Sequence, residues 1–226
     1  MLWVGQFGIA DGEAREKTPW LGAFPDSGRS EEPADLYLVV EPATEGSAEF
    51  CEELKVAICD VFHNDRLSLT GGLLRALKTA HENLREWNRR SMKDHRVAAG
   101  VSCLAGRADT REMYLAQVAP ASAAHYSNGE LLSLEPSLPD ASEPLGLYDE
   151  FWPQFSRFEL EVGDRLLLLS PGLARLIRQE ELAAALSAPH EEALQALYRL
   201  GRSLPNCAAL LVAAIGASNQ EPGADE

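Results

Sequence analysis

The order in which strand-like and helix-like segments follow one another constrains the fold of this chain more than any other feature of its sequence. An apolar run at residues 36–40 predicts a buried strand, and the Pro- and Gly-containing stretch before it predicts an irregular N-terminal segment. Apolar residues at three- and four-residue steps then predict two helices, over residues 48–61 and 73–87. The chain is thus expected to enter its first helices after a single strand.

The middle of the chain is rich in strand signals. Residues 97–134 contain three short apolar runs, and Asn128-Gly129 supplies two residues that tolerate the positive φ of a two-residue hairpin turn. Residues 158–170 predict two further strands, joined at Gly163-Asp164. We interpret residues 97–134 as an antiparallel meander because turns, and not helices, separate the predicted strands.

Helical spacing returns near the C-terminus, at residues 180–186 and 191–204, and an apolar run at 207–215 predicts a last buried strand. The whole order is neither a regular βαβ alternation nor a repeat array. Two antiparallel sheets covered by helix pairs would accommodate it, so we predict an α+β fold. We expect one domain over residues 1–216, and residues 217–226, which lack apolar anchors, predict a disordered acidic tail.

The charge balance argues against several classes of partner. Among 226 residues, 35 acidic and 20 basic side chains give a formal net charge of −15, which repels nucleic-acid phosphates and anionic lipid headgroups alike. No apolar run approaches the roughly 18 residues that span a bilayer, and the N-terminus lacks the basic flank of a signal peptide. Four scattered cysteines without a Cys-x-x-Cys pair are typical of a reducing compartment. We therefore expect a cytoplasmic protein that binds neither nucleic acid nor membranes.

The sequence contains three phrases, beginning FELEVGDRLLLLSPG, MYLAQVAPASAAHYS and DLYLVVEPATEG, that stand in the order of a known family's segments. Over roughly residues 5–215 the chain resembles the PPM-type (protein phosphatase 2C-like) serine/threonine phosphatases. The longest, FELEVGDRLLLLSPGLARLIRQEELAAAL, is similar to the family segment that contains Gly-Asp and then Ser-Asp-Gly. The phrase MYLAQVAPASAAHYSNGELLSLEP is similar to another, with Ala119-Pro120 in the place of a family Gly-Asp. DLYLVVEPATEGSAEFCEEL resembles the segment that carries the family's metal-bridging Asp-Gly. The resemblance implies a four-layer α-β-β-α sandwich.

In this family, aspartates hold two Mg²⁺ or Mn²⁺ ions that activate a bridging water for attack on phosphoserine or phosphothreonine. The resemblance assigns six positions of this chain to that metal site: Pro19 and Trp20 for Glu-Asp, Glu41 and Pro42 for the bridging Asp-Gly, Pro171 for the Asp of Ser-Asp-Gly, and Pro205 for the Asp of Asp-Asn. Proline and tryptophan offer no side-chain oxygen to a hard dication. We therefore predict no catalytic residue, no bound metal and no cofactor.

Two charged residues at these positions have alternative interpretations. Arg15 falls where the family has its phosphate-binding arginine, and a guanidinium can hold a phosphate through two parallel hydrogen bonds without a metal. The alternative is an ordinary surface arginine. Glu41 either binds one ion weakly or is a solvated residue at the end of a strand.

The resemblance, combined with the missing aspartates, predicts a catalytically degenerate domain, a pseudophosphatase. We expect it to act as a binding or regulatory module in phospho-signalling whose partner is a protein, such as a phosphoprotein or a kinase. The alternative is a residual phosphoserine/phosphothreonine protein phosphatase that uses Mg²⁺ or Mn²⁺ and recruits Glu41 with other acids. A structural or assembly module is a third hypothesis, since a fold does not fix a function.

Overall fold

Two antiparallel β-sheets lie face to face, and helices cover the outer face of each sheet. The computed structural model describes residues 1–25, 33–92, 95–107, 109–137 and 143–216. Within these ranges the strands are β1 (Leu2–Ala10), β2 (Glu13–Arg15), β3 (Leu21–Phe24), β4 (Asp35–Pro42), β5 (Ala99–Arg107), β6 (Glu112–Val118), β7 (Ser122–Ser127), β8 (Glu130–Leu134), β9 (Gln154–Glu159), β10 (Arg165–Leu169) and β11 (Cys207–Ala214). The helices are α1 (Cys51–Asn64), α2 (Leu69–Arg90), α3 (Pro171–Leu176), α4 (Gln179–Ser187) and α5 (His190–Gly201).

The strand order defines the two sheets. The first sheet has six strands in the order β2-β1-β11-β10-β7-β8, and the second has five in the order β3-β4-β5-β6-β9. Helices α1 and α2 pack on the second sheet, and α3, α4 and α5 pack on the first. The predicted α+β fold with two antiparallel sheets between helical layers is therefore confirmed, with a short third helix, α3, where a pair was expected.

Strand residues alternate between the space that separates the sheets and the two outer faces. Val39, Leu168 and Leu210 belong to the inter-sheet core, whereas Leu38 faces the helices of the second sheet. Because both faces of the central strands are buried, β10 and β11 are apolar at nearly every position. Full burial of one leucine side chain stabilises the fold by about 2 kcal/mol, so this double-sided core accounts for the apolar runs in the sequence.

Several local predictions are confirmed. The apolar run at residues 36–40 lies within β4, and the two helical patterns correspond to α1 and α2. Helix α2 begins after Ser68, whose hydroxyl accepts a hydrogen bond from Gly71 N at 3.3 Å. Asn128 and Gly129 form the turn between β7 and β8 with φ values of 52° and 84°.

The prediction of an irregular N-terminal segment is wrong, because β1, β2 and β3 precede β4. Strand β1 pairs with β11 from Leu2↔Ala214 to Ile9↔Cys207. Gly5 and Gly8 interrupt the apolar alternation of β1, and each has other side chains where a Cβ would be: Trp3 and Leu194 at Gly5, and Thr18 at Gly8. The pairing that stabilises β1 therefore comes from the opposite end of the chain.

The prediction of one meander over residues 97–134 is also wrong, because the chain changes sheets within it. Strands β5 and β6 pair in the second sheet, whereas β7 and β8 pair in the first. The crossing occurs at the cis Ala119-Pro120 bond, between β6 and β7. Strands β9 and β10, on either side of Gly163-Asp164, likewise belong to different sheets.

Two further predictions concern the C-terminal tail and the crossing of a membrane. The tail predicted for residues 217–226 lies outside the described residues. Among the described residues, no helix combines the length and the apolar character needed to cross a membrane.

Candidate functional site

The positions assigned to the family's metal ligands lie at one end of the space between the two sheets. Strand β10 ends just before Pro171, and β11 begins just after Pro205. These two strands are antiparallel neighbours with Leu169 opposite Ala209, and Ser170 N donates to Ala208 O at 2.9 Å. Pro171 and Pro205 therefore occupy the same end of the first sheet.

Neighbouring segments complete this end of the molecule, which we call the cleft end. Gly12, in the turn between β1 and β2, donates its N–H to Pro205 O at 2.8 Å, and Asp11 N donates to Asn206 Oδ1 at 3.0 Å. From the second sheet, Val40 N donates to Trp20 O at 2.8 Å, which brings Pro19 and Trp20 beside the last residues of β4.

Glu41 supplies the carboxylate at the cleft end. Because Val39 faces the inter-sheet core and strand side chains alternate, Glu41 two residues later points between the sheets as well. Its side chain is partly exposed, yet Oε1 is buried and has no hydrogen-bond partner among the described residues. Burial raises the pKa of Glu41 to about 8, and Arg175 of α3 opposes that shift. At neutral pH the carboxyl is therefore mainly protonated and uncharged.

Two buried thiols near Glu41 also have raised pKa values. Burial raises the pKa of Cys51 to about 12 and that of Cys207 to about 11, and in both cases Glu41 adds to the shift. Cys51 donates to Ser47 O at 3.4 Å, and Cys207 donates to Gly201 O at 3.7 Å. Thiols with raised pKa values are weak nucleophiles at neutral pH.

The segment that contains Pro19 and Trp20 is tied to helix α1 by a buried lysine. Lys55 Nζ donates to Thr18 O at 3.1 Å and to Leu21 O at 3.2 Å, and it forms an ion pair with Glu52 at 2.6 Å. In the same segment, Thr18 Oγ1 and Trp20 Nε1 are buried without a hydrogen-bond partner in the described part of the chain. The cleft end therefore presents a hydroxyl and an indole N–H together with the carboxyl of Glu41.

Arg15 lies on β2 opposite Gly8 of β1, next to the turn that contacts Pro205, and about half of its side chain is exposed. Its guanidinium is 3.4 Å from a carboxylate oxygen of Asp11 and 3.9 Å from one of Glu13. Exposed ion pairs of this kind contribute only about 0–1 kcal/mol, so a phosphate could displace the two acids at low cost. Phosphate binding and an ordinary surface role of Arg15 both stay predictions.

The residues at the cleft end do not fit a two-metal centre. Hard dications require about six oxygen ligands, most of them from carboxylates or water. Of the six assigned positions only Glu41 carries a carboxyl group. Within the described ranges, no group of three or more His, Cys, Asp or Glu side chains is placed to hold a metal ion.

Some residues of this end were not found from the sequence. Lys55 interacts through backbone carbonyls of another element, which leaves no motif in the sequence. Arg175 is exposed on α3 and looks like an ordinary helix-surface residue. A lysine inside the apolar face of α1, among Cys51, Leu54 and Ile58, was the one available signal.

The arrangement of two antiparallel sheets between helical layers is the fold of the PPM-type serine/threonine phosphatases. The serine/threonine phosphatase of S. agalactiae has a TM-score of 0.73 and 14% identity, over 95% of this chain and 100% of that chain. PppA, described as a key regulatory component of T6SS in Pseudomonas aeruginosa, has a TM-score of 0.73 and 17% identity, over 95% and 98%. The catalytic domain of the phosphatase PstP, in complex with two manganese ions, has a TM-score of 0.68 and 15% identity, over 96% and 100%.

The structural similarity spans nearly the whole chain, whereas the sequence by itself matches no family model and no curated protein. The resemblance to PPM-type phosphatases is confirmed at the level of the fold. At identities of 14–17%, these similarities establish the fold and not the activity.

Proposed function

We propose that this chain is a pseudophosphatase, a PPM-like domain that has lost its catalytic metal site and acts in the cytoplasm as a protein-binding or regulatory module in phospho-signalling. The observation that carries the proposal is the side-chain chemistry of the cleft end. Pro19, Trp20, Pro171 and Pro205 offer no side-chain oxygen there, and Glu41 has the one carboxyl group among the assigned positions. A single carboxylate cannot assemble the ligand set of two hard dications.

The loss of metals also removes the source of a nucleophile. In the phosphatase mechanism, two metals activate a bridging water and stabilise the charge that develops on phosphorus. Ser170, beside Pro171, is buried, and its Oγ accepts a hydrogen bond from Ala208 N at 3.3 Å. Nothing in that arrangement activates its hydroxyl, since no histidine or carboxylate among the described residues contacts it. Ser170 therefore does not supply a substitute nucleophile, which supports the proposal.

Manganese binding and phosphatase turnover, measured on the unmodified protein, test the proposal. We expect no heat of Mn²⁺ binding in calorimetry and no Mg²⁺- or Mn²⁺-dependent hydrolysis of p-nitrophenyl phosphate. The Glu41→Asp variant should behave in the same way, because one carboxylate cannot assemble the ligand set. The combination of Glu41→Asp, Pro171→Asp and Pro205→Asp supplies three carboxylates and should gain Mn²⁺ binding.

The competing hypothesis makes the opposite prediction. PstP was crystallised with two manganese ions, which puts the expected absence of a cofactor in this chain in question. Stoichiometric Mn²⁺ uptake in the micromolar range by the unmodified chain, together with metal-dependent turnover, would establish the residual phosphatase and end the pseudophosphatase proposal.

A further inference from the structure

Three arginines line one small cavity beside the C-terminal half of α2, far along the chain from the assigned metal positions. Arg85 and Arg89 belong to α2, and Arg96 belongs to the segment that leads into β5. The cavity has a volume of about 160 Å³, and its remaining lining is Asn88, Gly146, Leu147 and Asp149. In a chain whose formal net charge is −15, three guanidinium groups at one cavity form a local concentration of positive charge. We call this cavity the arginine pocket.

Hydrogen bonds from one buried residue hold the walls of the arginine pocket. Asn88 Nδ2 donates to Val97 O and to Gly146 O, both at 2.8 Å, and Asn88 Oδ1 accepts from Val97 N at 2.8 Å. His81 Nδ1 accepts from Gly146 N at 3.2 Å. The segments on both sides of the pocket are thus fixed to α2, so the pocket is preorganised and a ligand need not order it.

The three guanidinium groups differ in how far they are already neutralised. Arg85 pairs with Asp149, and its Nη1 also donates to Asp149 O at 3.2 Å. Arg89 is 3.5 Å from Glu86, at the limit of a hydrogen bond. The Arg96 side chain has no ion pair or hydrogen bond with any residue in the described ranges, and it is exposed. Arg96 is therefore unpaired among the described residues, and the exposed pairs of Arg85 and Arg89 are ones that an anion can displace at low cost.

Asp149 shows what kind of group the pocket accepts. Its carboxylate pairs with Arg85 although 91% of the Asp149 side chain is exposed, so the pair is accessible from solvent. Exposed ion pairs contribute only about 0–1 kcal/mol, so a stronger anion can displace this carboxylate at low cost. The cavity is smaller than a typical drug-sized ligand site of about 300 Å³ or more. A tetrahedral phosphoryl group matches both the small volume and the forked donors of arginine.

A larger groove adjoins the arginine pocket through Arg96, which lines both. This groove has a volume of about 760 Å³, and Glu45 and Glu49 line it together with apolar side chains. The rings of Phe50 and Trp87, whose centroids are 4.9 Å apart, form its aromatic part. Trp87 is 50% exposed, which is unusual for so large an apolar side chain. A free phosphate ion would not contact these two rings. A side chain next to a phosphorylated residue of a partner protein would pack on them.

We propose that the arginine pocket binds a phosphorylated serine or threonine of a partner protein, and that a neighbouring apolar side chain of that partner packs on Phe50 and Trp87. The assignment rests on the proposed function, because it identifies the class of protein that a noncatalytic module would bind. Arg89 and Arg96 hold the phosphoryl oxygens, Arg85 exchanges Asp149 for the ligand, and Asn88 keeps the walls in place. The site lies on the helical face of the second sheet and does not use the cleft end.

Chemical-shift mapping on the uniformly ¹⁵N-labelled full chain tests this site. The probes are inorganic phosphate, the N-acetylated dipeptide amide phosphoserine-phenylalanine, and its unphosphorylated counterpart. We expect the phosphorylated dipeptide to shift the amides of Asn88, Arg96 and Gly146 and the indole N–H of Trp87. We expect no shifts with the unphosphorylated dipeptide, and binding of inorganic phosphate about tenfold weaker than that of the phosphorylated dipeptide, without a Trp87 shift.

Charge-removing variants identify the residues responsible. Arg89→Gln and Arg96→Gln should each weaken binding of the phosphorylated dipeptide about tenfold, because each removes a charge-assisted hydrogen bond. Arg90→Gln is the matched control, since Arg90 is the next residue of α2, pairs with Glu86 at 2.6 Å and does not line the pocket. Asp149→Asn should strengthen binding severalfold because it frees Arg85. Unchanged melting temperatures would show that all four variants are folded.

The outcomes separate this inference from the proposed function. Shifts at Arg15 instead of α2, equal losses in Arg90→Gln and Arg96→Gln, or equal binding of phosphate and phosphorylated dipeptide would each overturn the arginine pocket as a phosphoprotein site. None of these results would restore a metal centre, so the pseudophosphatase proposal would stand. Conversely, Mn²⁺-dependent turnover would end that proposal while leaving the shift mapping of the arginine pocket interpretable.

Discussion

At the scale of single residues, Glu41 offers a direct test of the site, because the ionisation of its carboxyl group depends on what surrounds it. It lies at the end of β4 and points between the sheets, where the PPM-type resemblance expects a metal-bridging aspartate. Burial raises the Glu41 pKa to about 8, whereas a bound metal would hold such a carboxylate ionised. A neutral carboxyl and a metal-bound carboxylate therefore differ in how stability depends on pH.

Replacing Glu41 by glutamine tests that interpretation. A folded-state pKa of about 8 against the ordinary value of 4.5 favours the protonated folded state, so this contribution is complete below pH 4.5 and is lost as the pH rises to 8. Glutamine cannot ionise and does not lose it. Chemical denaturation should show nearly equal stabilities at pH 4 or below. At pH 9 Glu41→Gln should have an advantage of about 5 kcal/mol, because that is what a pKa raised from 4.5 to about 8 corresponds to.

The control for this pH dependence is Glu16→Gln, which changes an exposed glutamate in the segment between β2 and β3. Its stability should follow that of the unmodified protein at every pH. If Glu41→Gln also showed no pH-dependent advantage, the carboxyl of Glu41 would be ionised and solvated in the native state, and a metal-binding role would become plausible again.

At the scale of secondary-structure elements, local signals were sufficient where the stabilising contacts are local. The helix α2 follows from its apolar stripe, and the β7–β8 hairpin follows from Asn128-Gly129. Strand β1 could not be predicted, because its pairing partner β11 lies at the opposite end of the chain. The change of sheet at Ala119-Pro120 could not be predicted either, because side chains alternate between the two faces with the same period in both sheets.

The residues of the candidate site likewise divide into those that the sequence indicated and those that it did not. Pro19, Pro171 and Pro205 were assigned to the metal site through the family resemblance, which compares residues along the sequence. The contacts of Lys55 were not, because a lysine that donates to backbone carbonyls requires no particular residue at the accepting positions. The arginine pocket joins three separate segments through Asn88 and has no continuous motif at all.

Removing the Lys55 ammonium should loosen the connection between α1 and the segment before β3. Lys55→Met keeps the length of the side chain and leaves the carbonyl oxygens of Thr18 and Leu21 without this donor. We expect a loss of about 1–3 kcal/mol in the free energy of unfolding. Lys78→Met, at an exposed position of α2, is the control and should change stability by no more than about 0.5 kcal/mol. Equal effects in the two variants would contradict a structural role for Lys55.

At the scale of the whole molecule, Glu41 and two buried histidines have opposite effects on how stability changes with pH. Burial lowers the pKa of His81 and of His125, so the folded state favours their neutral forms. Protonation of His81 would also cost the hydrogen bond that Nδ1 accepts from Gly146 N. For a base with a lowered folded pKa, stability is lost as the pH falls below its ordinary value of 6.5. Glu41 has the opposite effect between pH 4.5 and 8.

These opposing effects predict a stability maximum on the acidic side of neutrality, at about pH 6. The formal net charge of −15 adds to the decline at higher pH, because repulsion among carboxylates favours expansion of the chain. Melting temperatures measured by scanning calorimetry from pH 4.5 to 9 should therefore fall on both sides of the maximum. His81→Gln should flatten the acidic side and Glu41→Gln the alkaline side, whereas His63→Gln, at a residue near the end of α1, should alter neither. A melting temperature that rises steadily up to pH 9 would show that Glu41 is not held as a neutral carboxyl and that the cleft end is ionised in the folded protein.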